Sequence, residues 1–220
     1  MEIEPQTLSL TPDAALELLA GIGAELLVEP RRTVLGIAGG PGVGKSTMAL
    51  KLVERLGAEA AYVPMDGFHM RHAKLEALGT AADKGMPHTF EGAAFAEMLA
   101  QLKAATASVT IQGYSRKIED VVDDAHVVPA TARLLVVEGN YLLLATSPWW
   151  RVRPLLDRAV YLEVPEAIAR ARLLKRHAAE GLFTAERNIA HVERVDLVNL
   201  DTVRRSRPRA DVAIDLITES

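Results

Sequence analysis

Apolar residues along the chain fall into two rhythms. Compact apolar runs occur at Thr33 to Ala38, Ala60 to Asp66, Arg133 to Val137, Ala159 to Val164 and Asp211 to Ile217, and each reads as a strand. Val109 and Ile111 suggest a shorter one. Between these runs the spacing lengthens to three and four. Thr11, Pro12 and Asp13 supply an N-cap, a first-turn proline and a first-turn acid, and Leu16, Leu19, Gly23, Leu26 and Leu27 follow at helical spacing. The chain is therefore expected to open with an amphipathic helix, forming a helical extension over residues 1–30. Lys45 to Leu56 reads as a helix stopped by Gly57, and Phe95, Met98, Leu99 and Leu102 make one face of another after the loop Thr80 to Gly92. Pro165 and Glu166 open a helix running to Gly181, and Thr184 to Arg205 forms the next. Strands alternating with helices predict an α/β fold. It has a mostly parallel β-sheet with helices on both faces, and ligands bind at the strands' carboxyl ends. With no internal repeat or low-complexity linker, residues 1–220 read as one domain.

Composition narrows the partners. Of 220 residues, 49% are apolar and 25% charged, the balance of one ordinary soluble domain with a substantial core. A formal net charge of −4 gives no global electrostatic reason to bind nucleic acid or an anionic membrane, so small molecules are the expected partners. A homodimer is left open. The chain has no cysteine, which excludes disulfides, thiolate metal sites and cysteine nucleophiles and fits a reducing interior. Met1 to Leu10 has no basic or apolar leader pattern, and runs such as Tyr141 to Ala145 are far too short to span a bilayer. The expected location is the cytoplasm.

The chemistry concentrates first in Gly39-Gly40-Pro41-Gly42-Val43-Gly44-Lys45-Ser46, which matches G-x-x-x-x-G-K-[ST] between a strand and a helix. Glycines there let successive backbone N–H groups converge on phosphate oxygens beside the positive end of the helix dipole. Lys45 can reach the β and γ phosphates, the Ser46 hydroxyl can ligate Mg²⁺, and Thr47 offers another donor. ATP and Mg²⁺ are thus the expected cofactors. Two acids follow at strand ends: Asp66 in Met65-Asp66-Gly67-Phe68-His69, and Glu138 in Val136-Val137-Glu138-Gly139-Asn140. Either can hold Mg²⁺ or accept a proton from an attacking hydroxyl. Arg172 and Arg176, four apart on one helix, either close on phosphates as a lid over about residues 165–182 or form a solvated basic face. His69 beside Asp66, His88 with Lys84 in the long loop, and Tyr114 with Arg116 are the candidate acceptor contacts. Trp149 and Trp150 read as packing rather than a base-stacking box. Asn199, Arg207 and Arg209 near the last strand either border the adenine or form a solvated helix end.

Taken together, GGPGVGKST at 39 to 47, MDGFHM at 65 to 70, KGMPHTFE at 84 to 91, GYSR at 113 to 116, LLVVEGNYLLL at 134 to 144 and RARLLKRH at 170 to 177 resemble a known family. It is the P-loop kinases that group uridine kinase, phosphoribulokinase and bacterial pantothenate kinase, especially the bacterial branch labelled fructose-transport-system kinases. The resemblance implies the P-loop NTPase fold and transfer of the ATP γ-phosphoryl group to a hydroxyl of a sugar or sugar-like acceptor. A nucleoside or pantothenate kinase, and a nucleotide-hydrolysing regulator, are the alternatives. It further implies that Asp66 is the catalytic base and Glu138 a magnesium-site acid, with Ser46 completing the metal shell. Glu91 stands where related sequences usually have Asp, and Tyr114-Ser115-Arg116 matches the acceptor motifs only in part.

Overall fold

The computed structural model describes residues 5–181 and 184–217, so the reading of Met1 to Glu4, and residue 182 at the end of the expected lid, lie outside it. In chain order the elements are β1 (Gln6–Leu10), α1 (Pro12–Val28), β2 (Thr33–Ala38), α2 (Lys45–Leu56), β3 (Ala60–Pro64), α3 (His72–Ala77) and α4 (Gly92–Ala104). There follow β4 (Val109–Ser115), β5 (Asp120–Val128), β6 (Leu134–Gly139), β7 (Arg158–Glu163), α5 (Glu166–Glu180), α6 (Ala185–His191), α7 (Leu197–Arg204) and β8 (Val212–Leu216). Six strands form one parallel sheet in the order β1-β8-β7-β2-β6-β3.

The inner strands β2 and β6 are buried at every residue, which is why they read as continuous apolar runs. On one face Leu35, Ile37 and Val136 pack against Leu19 of α1 and Leu52 of α2. On the other, Val63 and Val137 belong to a core with Phe95 and Leu99 of α4 and the buried Trp149. Each such side chain contributes about 1.5–3 kcal/mol by leaving water. Trp149 is therefore packing, as expected, while Trp150 is half exposed. Among the described residues, no helix is long and apolar enough to cross a membrane.

Three features differ from the sequence reading. The N-terminal helix is present, and the Thr11 hydroxyl accepts from the Ala14 N–H at 3.3 Å, but strand β1 precedes it and pairs with β8. β1 is largely exposed, so its residues carry no buried run to betray it. The short strand around Val109 extends to Ser115 and turns back through β5 as an antiparallel hairpin outside the main sheet. β5 contains Asp120, Asp123 and Asp124, a composition that masks a strand. Finally, the helix expected from Thr184 to Arg205 is interrupted by a π-helical turn at Val192–Asp196.

Candidate active site

The phosphate-binding segment joins β2 to α2 at the carboxyl end of the central strand. Gly42 has φ 78°, and a Cβ there would lie 2.7 Å from the Ala169 carbonyl of α5, so a glycine lets the loop nestle against that helix. Lys45, the first residue of α2, is buried and donates from Nζ to the Gly40 carbonyl at 2.9 Å and to Asn140 Oδ1 at 2.7 Å. Burial pushes its pKa down, against the opposing pull of Glu138 and Asp66. Pro41, Gly42, Gly44, Lys45, Ser46 and Thr47 line a cavity of about 400 Å³, and Gly39, Gly40 and Val43 are buried within the loop itself.

Both acids enter that cavity. Glu138 is buried near the end of β6, in register with Ile37 of β2 and Pro64 of β3. Its Oε1 accepts from the Tyr62 hydroxyl at 2.9 Å, and the nearby Ser46 hydroxyl favours its charged form. Burial, and then the neighbouring Asp66 charge, raise its pKa despite Lys45. Asp66 lies two residues past β3, in a 3₁₀ turn spanning Met65–Phe68. Burial pushes its pKa up, but His69, Arg116, Lys45 and Arg176 outweigh that and hold it below the usual carboxylate range. Two neighbouring carboxylates with pKa values driven apart are suited to different tasks. The Asp66 turn is fixed from the hairpin side. A Cβ on Gly67 would meet the Gln112 carbonyl at 2.4 Å, and Gln112 Nε2 donates to the Gly67 carbonyl at 2.7 Å.

His69 Nδ1 donates to the Asp66 carbonyl at 2.8 Å, which leaves Nε2 an acceptor in the neutral ring. The ring sits near Phe90 and Tyr114, with centroids at 3.9 and 4.4 Å, and burial lowers its pKa. The Tyr114 hydroxyl donates to Glu119 Oε2 at 3.0 Å, and Lys84 Nζ is 5.3 Å from the Tyr114 ring centre. Arg116 shares its fork between two acids, Nη2 lying 3.4 Å from Asp66 Oδ2 and Nη1 3.6 Å from Glu180 Oε1. Arg172 Nη1 reaches the Gly42 and Val43 carbonyls at 3.4 and 3.3 Å, and Arg176 Nε lies 3.8 Å from Glu180 Oε1.

The structure thus gathers the loop, Asp66, Glu138, His69, Lys84, Tyr114, Arg116, Arg172 and Arg176 around one cavity. His88 is the exception. The 3₁₀ turn Pro87–Thr89 sets it on a second cavity beside Trp149, with its Nε2 3.4 Å from Asp83 Oδ2. Its loop does reach the site, but through Lys84 and Gly85. Sequence reasoning missed Glu119, His177, His191 and Asp196, which also line the cavity. Their only signal was position on segments adjoining the Arg172–Arg176 helix and the Tyr114 hairpin. Asn199 lines the cavity too, donating from Nδ2 to the Gly85 carbonyl at 2.9 Å. Arg207 instead pairs with Asp215 at 2.8 Å, and Arg209 Nη1 donates to the Leu143 carbonyl at 2.6 Å. The residues present suit a polyphosphate and a hard cation: a buried ammonium beside a glycine-rich loop, and a hydroxyl lining the same cavity as a buried carboxylate.

Known proteins resemble this chain in sequence and in fold. The model of the phosphoribulokinase / uridine kinase family matches residues 34–220. A Schizosaccharomyces pombe protein described as a candidate uridine kinase is 37% identical over 202 residues, 86% of each chain. A Streptomyces coelicolor pantothenate kinase is 36% identical over 120 residues, 52% of this chain and 36% of its own length. The crystal structure of a candidate fructose-transport-system kinase from Silicibacter sp. TM1040 superposes with a TM-score of 0.82 at 32% identity, covering 90% of this chain and 98% of that one.

Proposed function

Because the chain belongs to the phosphoribulokinase / uridine kinase family of ATP-dependent, Mg²⁺-using phosphotransferases, we propose that it is a cytoplasmic small-molecule kinase acting on a hydroxyl of a sugar or sugar-like acceptor. Mg²⁺-ATP supplies the γ-phosphoryl group. The observation that carries the reading is Asp66, a carboxylate held ionised by surrounding cations in the same cavity as the Lys45 ammonium and the Ser46–Glu138 pair. Asp66 takes the acceptor's hydroxyl proton as its oxygen bonds to the γ-phosphorus, and the bond to the departing ADP breaks. Lys45 and the loop amides hold the phosphates, Ser46 and Glu138 hold the cation, and Arg172 and Arg176 counter the charge that spreads over the transferring group.

The sugar reading draws support from the lining around Asp66. His69, Lys84, Arg116 and Glu119 offer donors and acceptors suited to a polyol, while the rings of His69, Phe90 and Tyr114 stack on one another. A nucleoside or pantothenate acceptor is the second reading, favoured by the names of the fungal and Streptomyces relatives. A coupled ADP-release screen over sugars, nucleosides and pantothenate separates the two, with Asp66→Asn as control. ADP release that proceeds equally without any acceptor would instead identify a nucleotide-hydrolysing regulator and sink the kinase proposal.

A further inference from the structure

One group of side chains on the cavity wall has no role in the phosphoryl transfer described above. His177 stands in the last turn of α5, His191 ends α6, and Asp196 closes the π-helical turn before α7. His177 Nδ1 lies 3.2 Å from Glu180 Oε2, and its Nε2 lies 3.0 Å from Asp196 Oδ2. Carboxylates accept hydrogen bonds and a neutral imidazole has a single N–H, so one of these two contacts lacks a proton. A cation seated between the nitrogen and the carboxylate would satisfy that contact.

His191 adds a further nitrogen donor to the pair. Its ring lies edge-on to that of His177 with centroids 5.4 Å apart, and one ligand atom from each of His177, His191 and Asp196 falls within 4.8 Å of the others.

We propose that His177, His191 and Asp196 form a second cation site, for a borderline divalent transition metal such as Zn²⁺, separate from the oxygen-only corner of Ser46 and Glu138. Two imidazoles and one carboxylate are the donors such a metal takes, whereas Mg²⁺ selects oxygen alone. Metal bonds of about 2.0–2.2 Å are met by small side-chain rotations that draw the three atoms together. Glu180, bonded to the far nitrogen of His177, fixes the tautomer that turns Nε2 inward, as carboxylates behind ligating histidines do. Three protein ligands leave a fourth position towards the cavity. Since α5 also carries Arg172 and Arg176, a metal there ties the arginine-bearing helix to the segment that follows it.

The test is titration of the full-length protein with Zn²⁺ alone in excess Mg²⁺, followed by calorimetry, with Co²⁺ absorption as a report of the ligand set. One equivalent is expected to bind. His191→Ala and Asp196→Asn should each weaken binding by more than about 100-fold, and Glu180→Gln by about 10–100-fold, while Glu138→Gln leaves it unchanged. Circular dichroism checks that each variant is folded, and Glu180→Gln gives a readout that keeps all three ligands in place. Absence of Zn²⁺ binding to the wild type, or binding that survives His191→Ala but is lost in Glu138→Gln, overturns the proposal. Because the readout is metal binding and not catalysis, it stands or falls independently of which acceptor is phosphorylated.

Discussion

The two halves of the cavity are built in opposite ways. The phosphate half comes from one continuous stretch, Gly39 to Thr47, anchored on a fully buried strand and on a lysine whose ammonium is satisfied by neighbouring backbone and by Asn140. The acceptor half is assembled from five separate segments: the Asp66 turn, the loop at Lys84, the hairpin at Tyr114 and Arg116, α5, and the π-helical turn. Its ion pairs are looser, at 3.4 to 3.8 Å around Arg116 and Arg176. One half is set by a single contiguous pattern and the other by side chains from several segments, so under the proposed function substrate preference can change in the second without disturbing phosphate binding.

That contrast predicts a graded series. Lys45→Ala should damage both functions, lowering phosphoryl transfer on the order of 10³-fold and also weakening nucleotide affinity in a fluorescent-nucleotide titration. Asp66→Asn should lower kcat about 10²–10⁴-fold and leave nucleotide affinity intact; retained activity would remove Asp66 from the chemistry and erase the division of labour. Arg116→Gln should act on the pH profile. A positive neighbour favours the ionised carboxylate, so Asp66 sits below its ordinary range, and removing Arg116 moves the acid limb of kcat/KM to higher pH. An unmoved limb would show that Arg116 does not set the Asp66 charge. Smallest of all, Thr11→Ala, remote from both halves, should cost about 1 kcal/mol of stability, or ~2–4 °C in Tm, with kinetics unchanged.

The same contrast explains what could be read from the sequence. A phosphate loop is a local object whose chemistry resides in backbone amides, so a contiguous pattern carried it, and the buried runs of β2 and β6 carried the sheet. Asp66 and Glu138 were legible because the carboxyl ends of parallel strands converge by topology. His177, His191 and Asp196 were not, since on a helical segment a polar residue facing a cavity has the same spacing as one facing water. His88 lines a separate cavity because its direction is set by a single 3₁₀ turn, which spacing does not encode. The β4–β5 hairpin was half seen for a related reason: its second strand is half exposed and acidic, and Glu119 and Asp124 have positive φ, uncommon for side-chain-bearing residues and not announced by glycine.

Strand β1 carries a consequence for how the chain is made. Its partner β8 lies far along the chain, with Gln6 opposite Val212 and Leu10 opposite Leu216. On the ribosome the phosphate loop and its two flanking strands can emerge and pack while this border strand still waits for its mate. Closing so long a loop is an entropic burden, and this edge of the sheet stays unfinished until β8 has emerged.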